Sequence, residues 1–246
     1  MKTRAELKQE IKQLFKGRWK SAILLCIVVS LLSIFSVASN SSDQVQSWRG
    51  EDTLSDAAVN QVMNLTGADI AIILTVFLVM ILVAIVFSII VQLFKVGTSF
   101  SMLDWVRQPE REVHAAADST VGFTKKYAWP IVGLSILQGI FLFLWTLLLI
   151  VPGIIKAYAY SQTYYVYKDM LAQTSAGDPK PRLSDAITRS RQLMVGHKWE
   201  LFVLQLSFIG WTILSALTFG IGQLWLVPYQ YGTYANYYDN LVETAV

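Results

Sequence analysis

The polar residues within the long apolar runs of this chain that could carry a function include Gln138, Lys156, Gln162, Tyr164 and Gln205. A buried glutamine or tyrosine needs a hydrogen-bond partner, and such groups join membrane helices with about 1 kcal/mol each. They can also line a path for a polar solute. Gln138 lies deepest in its run, and the sequence leaves both interpretations open.

Lys156 is the one charge inside an apolar run, and an ionisable residue in that position is by default a functional hypothesis. It follows Pro152 by four residues, which is about one helical turn. Its amine can therefore also reach the membrane surface by extending along the helix, and we expect this second role.

Residues that could catalyse a reaction are few. The chain has two histidines, His114 and His197, and it lacks the His-Glu-x-x-His, Gly-x-Ser-x-Gly and phosphate-loop motifs. No Asp or Glu lies deep within an apolar run, which weakens ion-coupled transport. His197 and Glu200 have a helical spacing that permits contact, but capping of a surface helix explains that pair better. We expect no enzymatic activity, no metal and no cofactor.

The basic residues alternate with the apolar runs. Eighteen of the 20 Lys and Arg residues fall within 1–20, 95–128 and 168–198, whereas 40–69 carries five acidic residues against the single Arg49. The positive-inside rule places the basic stretches in the cytoplasm and 40–69 outside. Composition agrees with a membrane protein, because 54% of residues are hydrophobic and only 15% are charged, against about a quarter charged in soluble domains.

The sequence predicts an all-α, polytopic membrane protein with about six transmembrane helices as three helical hairpins, accompanied by interfacial amphipathic helices. The predicted spans are 21–39, 70–94, 129–150, 153–168, 199–217 and 222–238. Pro152-Gly153 and the glycines around Gly220 predict the turns of the second and third hairpins. The cytoplasmic segments are 1–20, 95–128, 169–198 and 239–246, so both termini lie in the cytoplasm.

The first 20 residues have the pattern of a surface helix. Thr3 and Glu6 form a capping-box sequence, followed by apolar residues at helical spacing with lysines on the other side. A basic start before an apolar run also resembles a cleavable signal peptide, but the run 22–38 is longer than the usual signal core. We expect similar surface helices at 113–126 and after Ser184, which can act as a cap.

Aromatic and basic residues mark the starts of three predicted spans. Trp19, Trp129 and Trp199 each stand beside a lysine, and His197 and Lys198 precede the last of them. An amphipathic ring and a long amine both suit the membrane interface. We therefore interpret these five residues as interfacial anchors.

The chain also repeats itself. A shift of 70 residues superimposes Trp129 on Trp199 and Tyr164 on Tyr234 without a gap. A threonine followed six positions later by an aspartate recurs after each even-numbered predicted span, at Thr98 and Asp104, Thr163 and Asp169, and Thr233 and Asp239. The sequence therefore predicts three related hairpin units.

Several longer motifs resemble a known family. They are RSRQLMVGHKWELF at 189–202, LSFIGW at 206–211, GIGQLWLVPY at 220–229, the opening 6–20, and PGIIKAYAY at 152–160. Together they resemble bacterial integral membrane proteins, frequent in Gram-positive species, that are labelled only as domain of unknown function 975. The resemblance covers nearly the whole chain and implies a membrane location. It implies no reaction and no catalytic residue.

We therefore expect a non-enzymatic protein of the plasma membrane that acts through contacts at its basic cytoplasmic face. The expected partners are anionic lipids, a protein partner or a second copy of the chain, and nucleic acid is not expected. The alternative is a small-solute transporter or channel component, in which Gln138, Gln162 and Tyr164 would face one water-filled cavity.

Overall fold

The computed structural model describes residues 1–48, 66–175 and 178–245, and every element in those residues is helical. The helices are α1 Arg4–Leu14, α2 Trp19–Trp48, α3 Gly67–Arg107, α4 Ala115–Ser119, α5 Ala128–Leu148, α6 Ile150–Tyr160, α7 Thr163–Gln173, α8 Leu183–Leu193, α9 Lys198–Leu217 and α10 Gln223–Ala245. A 3-10 turn at Val121–Phe123 follows α4. The predicted all-α class is confirmed for these residues.

Three of the helices, α3, α5 and α9, are long and apolar enough to cross a membrane. The pair formed by α1 and Trp19–Ile34, bent by 107°, would be a fourth if it were counted as one span. These apolar helices suggest a membrane protein. The count of six spans remains a prediction.

The third helix is longer than its predicted span of 70–94. Its 41 residues extend about 60 Å, twice the thickness of a bilayer's hydrocarbon core. It continues to Arg107 because Val96, Phe100 and Leu103 are buried against other helices. The cytoplasmic segment predicted to start at residue 95 is therefore helical at its beginning.

The predicted exterior loop 40–69 is helical at both ends, because α2 continues to Trp48 and α3 begins at Gly67. A capping box sets the second boundary. The Asp69 carboxylate accepts a hydrogen bond from the Thr66 amide at 2.9 Å, and the Thr66 hydroxyl accepts one from the Asp69 amide at 3.3 Å. The central part of the loop, 49–65, lies outside the described residues.

The predicted span 153–168 is interrupted, because α6 ends at Tyr160 and α7 begins at Thr163. The Tyr160 carbonyl accepts hydrogen bonds from Gln138 Nε2 at 3.1 Å and from Thr163 Oγ1 at 2.8 Å. Side-chain donors that bind a carbonyl compete with the backbone bonds of a continuous helix. A side chain of α5 and one of α7 thus satisfy the carbonyl at the interruption.

One of the two predicted turns lies earlier in the chain than expected, and the other lies where it was expected. The turn between α5 and α6 lies at Leu149, earlier than predicted, and Pro152 falls in the first turn of α6, where a missing N–H breaks no helical bond. The turn between α9 and α10 contains Phe219 with φ 51° and Gly220 with φ 83°. It agrees with the predicted break around Gly220.

Of the two predicted helix caps, one is present and the other is not. The capping box of α1 is present, since the Thr3 and Glu6 side chains each accept a hydrogen bond from the other residue's amide. The Ser184 cap is wrong, because α8 begins at Leu183 with Arg182 at the N-cap. The Ser184 hydroxyl instead donates to the carboxylate of Asp185 at 3.2 Å.

Buried side chains concentrate in one part of the molecule, which we call the packed region. It consists of 93–105, 159–168 and 226–241 together with α1 and α8. Phe15 and Trp105 are completely buried there, with ring centroids 5.2 Å apart. The packed region brings the C-terminal part of α3, the first half of α7 and much of α10 together.

The segment predicted as a surface helix at 113–126 forms only α4 and the 3-10 turn, and the turn packs directly on α3. A Cβ atom added at Gly122 would lie 2.1 Å from the Leu93 carbonyl oxygen, and one added at Gly97 would lie 2.6 Å from the Gly122 nitrogen. Two glycines therefore allow the backbones to touch.

We expect Gly122→Ala to lower the free energy of unfolding by about 1–3 kcal/mol, because the backbones must separate. Thermal unfolding in mild detergent measures the change. Gly139→Ala is the matched control, since Gly139 is helical and has open space around it, so alanine there should preserve or slightly raise stability. Equal stability of the two variants would contradict the close contact.

Candidate functional site

The three threonine–aspartate motifs meet inside the packed region. Thr98, Thr163 and Thr233 are each completely buried. Each aspartate lies six residues later, about 9 Å further along its helix, so the carboxylates reach the edge of the packed region. In each motif, a buried hydroxyl is therefore followed by a carboxylate nearer the edge of the packed region.

Arg107, the last residue of α3, connects two of these carboxylates. Its Nη1 and Nη2 atoms donate to both oxygens of Asp169 at 2.7 and 2.9 Å, and its Nε donates to Asp239 at 2.7 Å. The hydrogen bond with Asp169 is the main cause that raises the pKa of Arg107, and Asp239 acts in the same direction. The guanidinium therefore joins the ends of α3, α7 and α10.

The third carboxylate pairs with a different cation. Asp104 accepts a hydrogen bond from Lys168 Nζ, which also donates to the Phe100 carbonyl at 2.7 Å. Arg111 approaches the other oxygen of Asp104 at 3.9 Å. We call these residues together with Arg107, Asp169 and Asp239 the carboxylate network.

Two further groups extend the network. The Tyr238 hydroxyl donates to Asp169 at 2.8 Å, and the Tyr238 ring stacks on Tyr165 with centroids 4.9 Å apart. Arg111 also pairs with Asp118, which is 5% exposed and accepts a hydrogen bond from the His114 amide. The network thus holds the segment after α3 as well as the three helix ends.

This arrangement can fix helices, but the geometry assigns it no reaction. Each aspartate of the network already faces a cation, and the described residues contain no group of three or more potential metal ligands. Hydrogen bonds between a cationic donor and a carboxylate are short and strong. The network therefore serves to position α3, α7 and α10.

The polar residues predicted within the apolar runs divide into several places. Gln138 and Tyr164 line one cavity of about 330 Å³ between α3, α5 and α7, together with Gln92 and Ser135. The Tyr164 hydroxyl is 3.1 Å from Gln92 Nε2 and 2.9 Å from Ser135 Oγ. Gln162 is not among the residues that line this cavity. The cavity therefore contains two of the three residues named for a solute path.

The other predicted polar residues form separate contacts. Gln205 accepts a hydrogen bond from the Tyr158 hydroxyl at 2.9 Å, which joins α9 to α6. Gln162 is 4% exposed and donates to Ser161 Oγ, while its Oε1 has no partner in the described part of the chain. Lys156 Nζ lies 4.4 Å from the centroid of the Trp145 ring. Lys156 therefore makes a cation–π contact with α5, and its extension to the membrane surface remains a prediction.

The predicted anchors also differ in exposure. Trp129 and Trp199 are 81% and 71% exposed, whereas Trp19 is half-buried, with its ring 5.1 Å from that of Phe15. His197 Nδ1 lies 3.0 Å from the Glu200 carboxylate, so the contact permitted by their spacing is present.

Lys198 is half-buried at the first position of α9, directly after His197. The His197 carbonyl accepts a hydrogen bond from the Tyr237 hydroxyl at 3.0 Å, which ties the start of α9 to α10.

Sequence reasoning missed the cations of the carboxylate network. The repeated aspartates were visible, but Arg107 and Lys168 occupy no repeated position and lie among many other basic residues. A search for cations near the Thr-x5-Asp motifs would have found Lys168, which directly precedes Asp169. The same search would have found Arg107, three residues after Asp104, but not its partners, which follow it by 62 and 132 residues.

We expect Arg107→Lys to lower the free energy of unfolding by about 1–2 kcal/mol, because one ammonium cannot bind both carboxylates as the planar guanidinium does. Chemical denaturation in detergent measures the loss. Lys95→Met removes an exposed charge from the same helix and should change stability by less than about 0.5 kcal/mol. Adding Asp239→Asn to Arg107→Lys should recover part of the loss, and strictly additive effects would contradict the network.

Comparison with known proteins gives a family and no individual relative. A family model described as "Protein of unknown function (DUF975)" matches residues 1–178 and residues 147–245. The search among curated proteins and the search among solved structures each produced no match. The two matched ranges include every residue of the carboxylate network, and the family expected from the sequence is confirmed. The chain belongs to the DUF975 family, whose function is unknown.

Proposed function

We propose that this chain is a multi-pass protein of the bacterial plasma membrane that acts without catalysis, through contacts of its basic cytoplasmic face with anionic lipids. In this proposal six segments cross the bilayer as three related hairpins, and both termini lie in the cytoplasm. A protein partner or a second copy of the chain would bind the same face.

The surface carries the main support, because it has two zones of different chemistry. Large apolar side chains are exposed along 70–90, 136–155 and 206–225, and these stretches contain no Lys or Arg. Exposed basic residues lie elsewhere on the described chain: Lys2, Arg4, Lys12, Lys16, Lys20, Lys95, Arg107, Lys125, Lys126, Lys180, Arg182, Arg189 and Arg191. The first zone suits lipid chains and the second suits anionic headgroups, at about 1 kcal/mol per basic residue.

Close helix contacts support the hairpins. A Cβ atom on Gly153 of α6 would lie 2.6 Å from Thr146 Oγ1 of α5, and one on Gly222 would lie 2.9 Å from the Ser215 side chain of α9. In both hairpins the contact joins residues seven positions apart across the turn. Small residues at such positions let membrane helices approach closely.

The same turn precedes two of the proposed units. Between α1 and α2 the turn contains Gly17 with φ 77°, and between α8 and α9 it contains Gly196 with φ 84°. Both turns follow an 11-residue helix. These similarities favour related units at the two ends of the chain.

Cysteine labelling tests the topology, and the natural chain is a suitable background because Cys26 is fully buried. We expect Phe219→Cys, at the 89% exposed tip of the third hairpin, to react with a membrane-impermeant maleimide on intact cells. Lys180→Cys, at an exposed position between α7 and α8, should react only after permeabilisation. The reverse pattern would invert the orientation, and an unreactive Phe219→Cys would show that the hairpin does not cross.

Thermal unfolding of the purified protein in a nonionic detergent tests the lipid contact. We expect phosphatidylglycerol to raise Tm by roughly 5–10 °C at saturation and phosphatidylcholine to have little effect, because a ligand of the native state stabilises by mass action. High salt should reduce the difference.

The same experiment separates the second candidate, solute transport, which the cavity at Gln138 and Tyr164 favours. A saturable Tm rise with one class of small polar solute, without any effect of phosphatidylglycerol, would replace the lipid proposal by transport. Loss of that solute effect in Gln138→Leu would place the solute in the cavity.

A further inference from the structure

A groove of about 470 Å³ lies between α1, α9 and α10. Lys8 and Lys12 form its basic end, and Trp211, Leu214 and Trp225 form apolar walls that are 59%, 53% and 52% exposed. Its volume is in the usual range of ligand sites. The groove shares no residue with the carboxylate network.

Among the described residues, no carboxylate neutralises the two lysines. Lys8 Nζ donates to Ser207 Oγ at 2.7 Å and lies 4.0 Å from the centroid of the Phe208 ring. Lys12 Nζ lies 5.7 Å from the centroid of the Tyr229 ring. Neither lysine forms an ion pair with any described carboxylate. Each ammonium has three donors, so both can still bind an anion.

The electrostatic environment favours a bound anion. Burial lowers the pKa of Lys8, and the like charges of Lys12 and Arg4 lower it further. An anion between Lys8 and Lys12 would oppose both effects, because it stabilises the charged amines.

A buried hydroxyl in the groove has no partner. Ser215 is 4% exposed, and its Oγ accepts and donates no hydrogen bond within the described part of the chain. The same residue lines the groove, beyond the lysines along α9. A buried polar atom without a partner costs free energy, which an acceptor on a bound molecule would recover. Ester oxygens are acceptors of this kind.

We propose that this groove binds one anionic phospholipid, with its phosphate at Lys8 and Lys12 and an acyl chain against Trp211, Leu214 and Trp225. The groove follows α9 from Trp211 to Thr218, a distance of about 10 Å along the helix. A hydrocarbon chain fits this apolar length, whereas a free phosphate would occupy only the basic end. The inference rests on the proposed function, because it names one site at which the basic face contacts lipid.

Titration of the purified full-length protein with dioleoyl phosphatidylglycerol tests the site, with bound lipid counted by native mass spectrometry. We expect one saturable molecule per chain. Lys8→Gln/Lys12→Gln should weaken this binding about tenfold or more. The matched control is Lys16→Gln/Lys20→Gln, which removes the same charge from exposed positions outside the groove and should change the affinity by less than about twofold.

Three comparison ligands identify the chemistry that binds. Dioleoyl phosphatidylcholine has the same chains without net charge and should bind much more weakly, while inorganic phosphate and glycerol 3-phosphate lack the chains and should not compete. Competition by either phosphate compound at the affinity of the lipid would overturn the acyl-chain part of the proposal. Equal binding of the two phospholipids would overturn the anionic part.

A second pair of variants keeps the proposal testable if the lysine variant does not fold. Leu214→Trp fills the groove and should weaken phosphatidylglycerol binding, whereas Leu217→Trp, at a 74% exposed position outside the groove, should not. These measurements distinguish failure of the proposed function from failure of the groove assignment. If phosphatidylglycerol does not bind the natural chain, the proposed function fails, but if it binds both groove variants normally, only the groove assignment fails.

Discussion

Arg107 binds two helices, α7 and α10, that are far from it in the sequence. Its guanidinium reaches Asp169 on α7 and Asp239 on α10 at hydrogen-bond distance, while its own backbone ends α3. Two neighbouring carboxylates repel each other unless a cation lies between them, and a planar group with five donors can serve both. One side chain therefore joins three helices that also pack through their buried residues.

The junction lies at the packed end of α3, and the other end of this helix has a different surface. Beyond the junction α3 leaves the packed region, and its side chains from Ile70 to Ile90 are mostly exposed although nearly all are apolar. Soluble proteins rarely expose a continuous apolar surface of this size. The same helix is thus held by charges and close packing at one end and presents an apolar surface at the other.

The polar residues in the apolar runs mostly connect helices. Gln138 binds the carbonyl where α6 ends, Gln205 accepts from Tyr158 across two helices, and Tyr164 contacts both Gln92 and Ser135. Each contact satisfies a group that would otherwise be unpaired in an apolar environment. Gln138 and the set around Tyr164 also border the cavity between α3, α5 and α7.

The sequence by itself determined the helical class, the apolar runs and the starts of several helices. The capping box of Thr3 and Glu6 follows from local spacing, since a cap involves residues only three or four positions apart. The boundaries of α5 and α9 follow the extent of the apolar runs. The repeated Thr-x5-Asp pattern likewise predicted three related positions, although not what binds them.

Only the tertiary structure decided the contacts between distant residues. Gln138 of another helix binds the Tyr160 carbonyl at the end of α6, and Arg107 pairs with Asp169 and Asp239 among the acidic residues of the chain. Likewise, Lys8 and Lys12 meet Trp211 only after α1 packs beside α9 and α10. Spacing along one helix carries no information about such neighbours, because the packing of several helices sets which side chains come within a few ångströms.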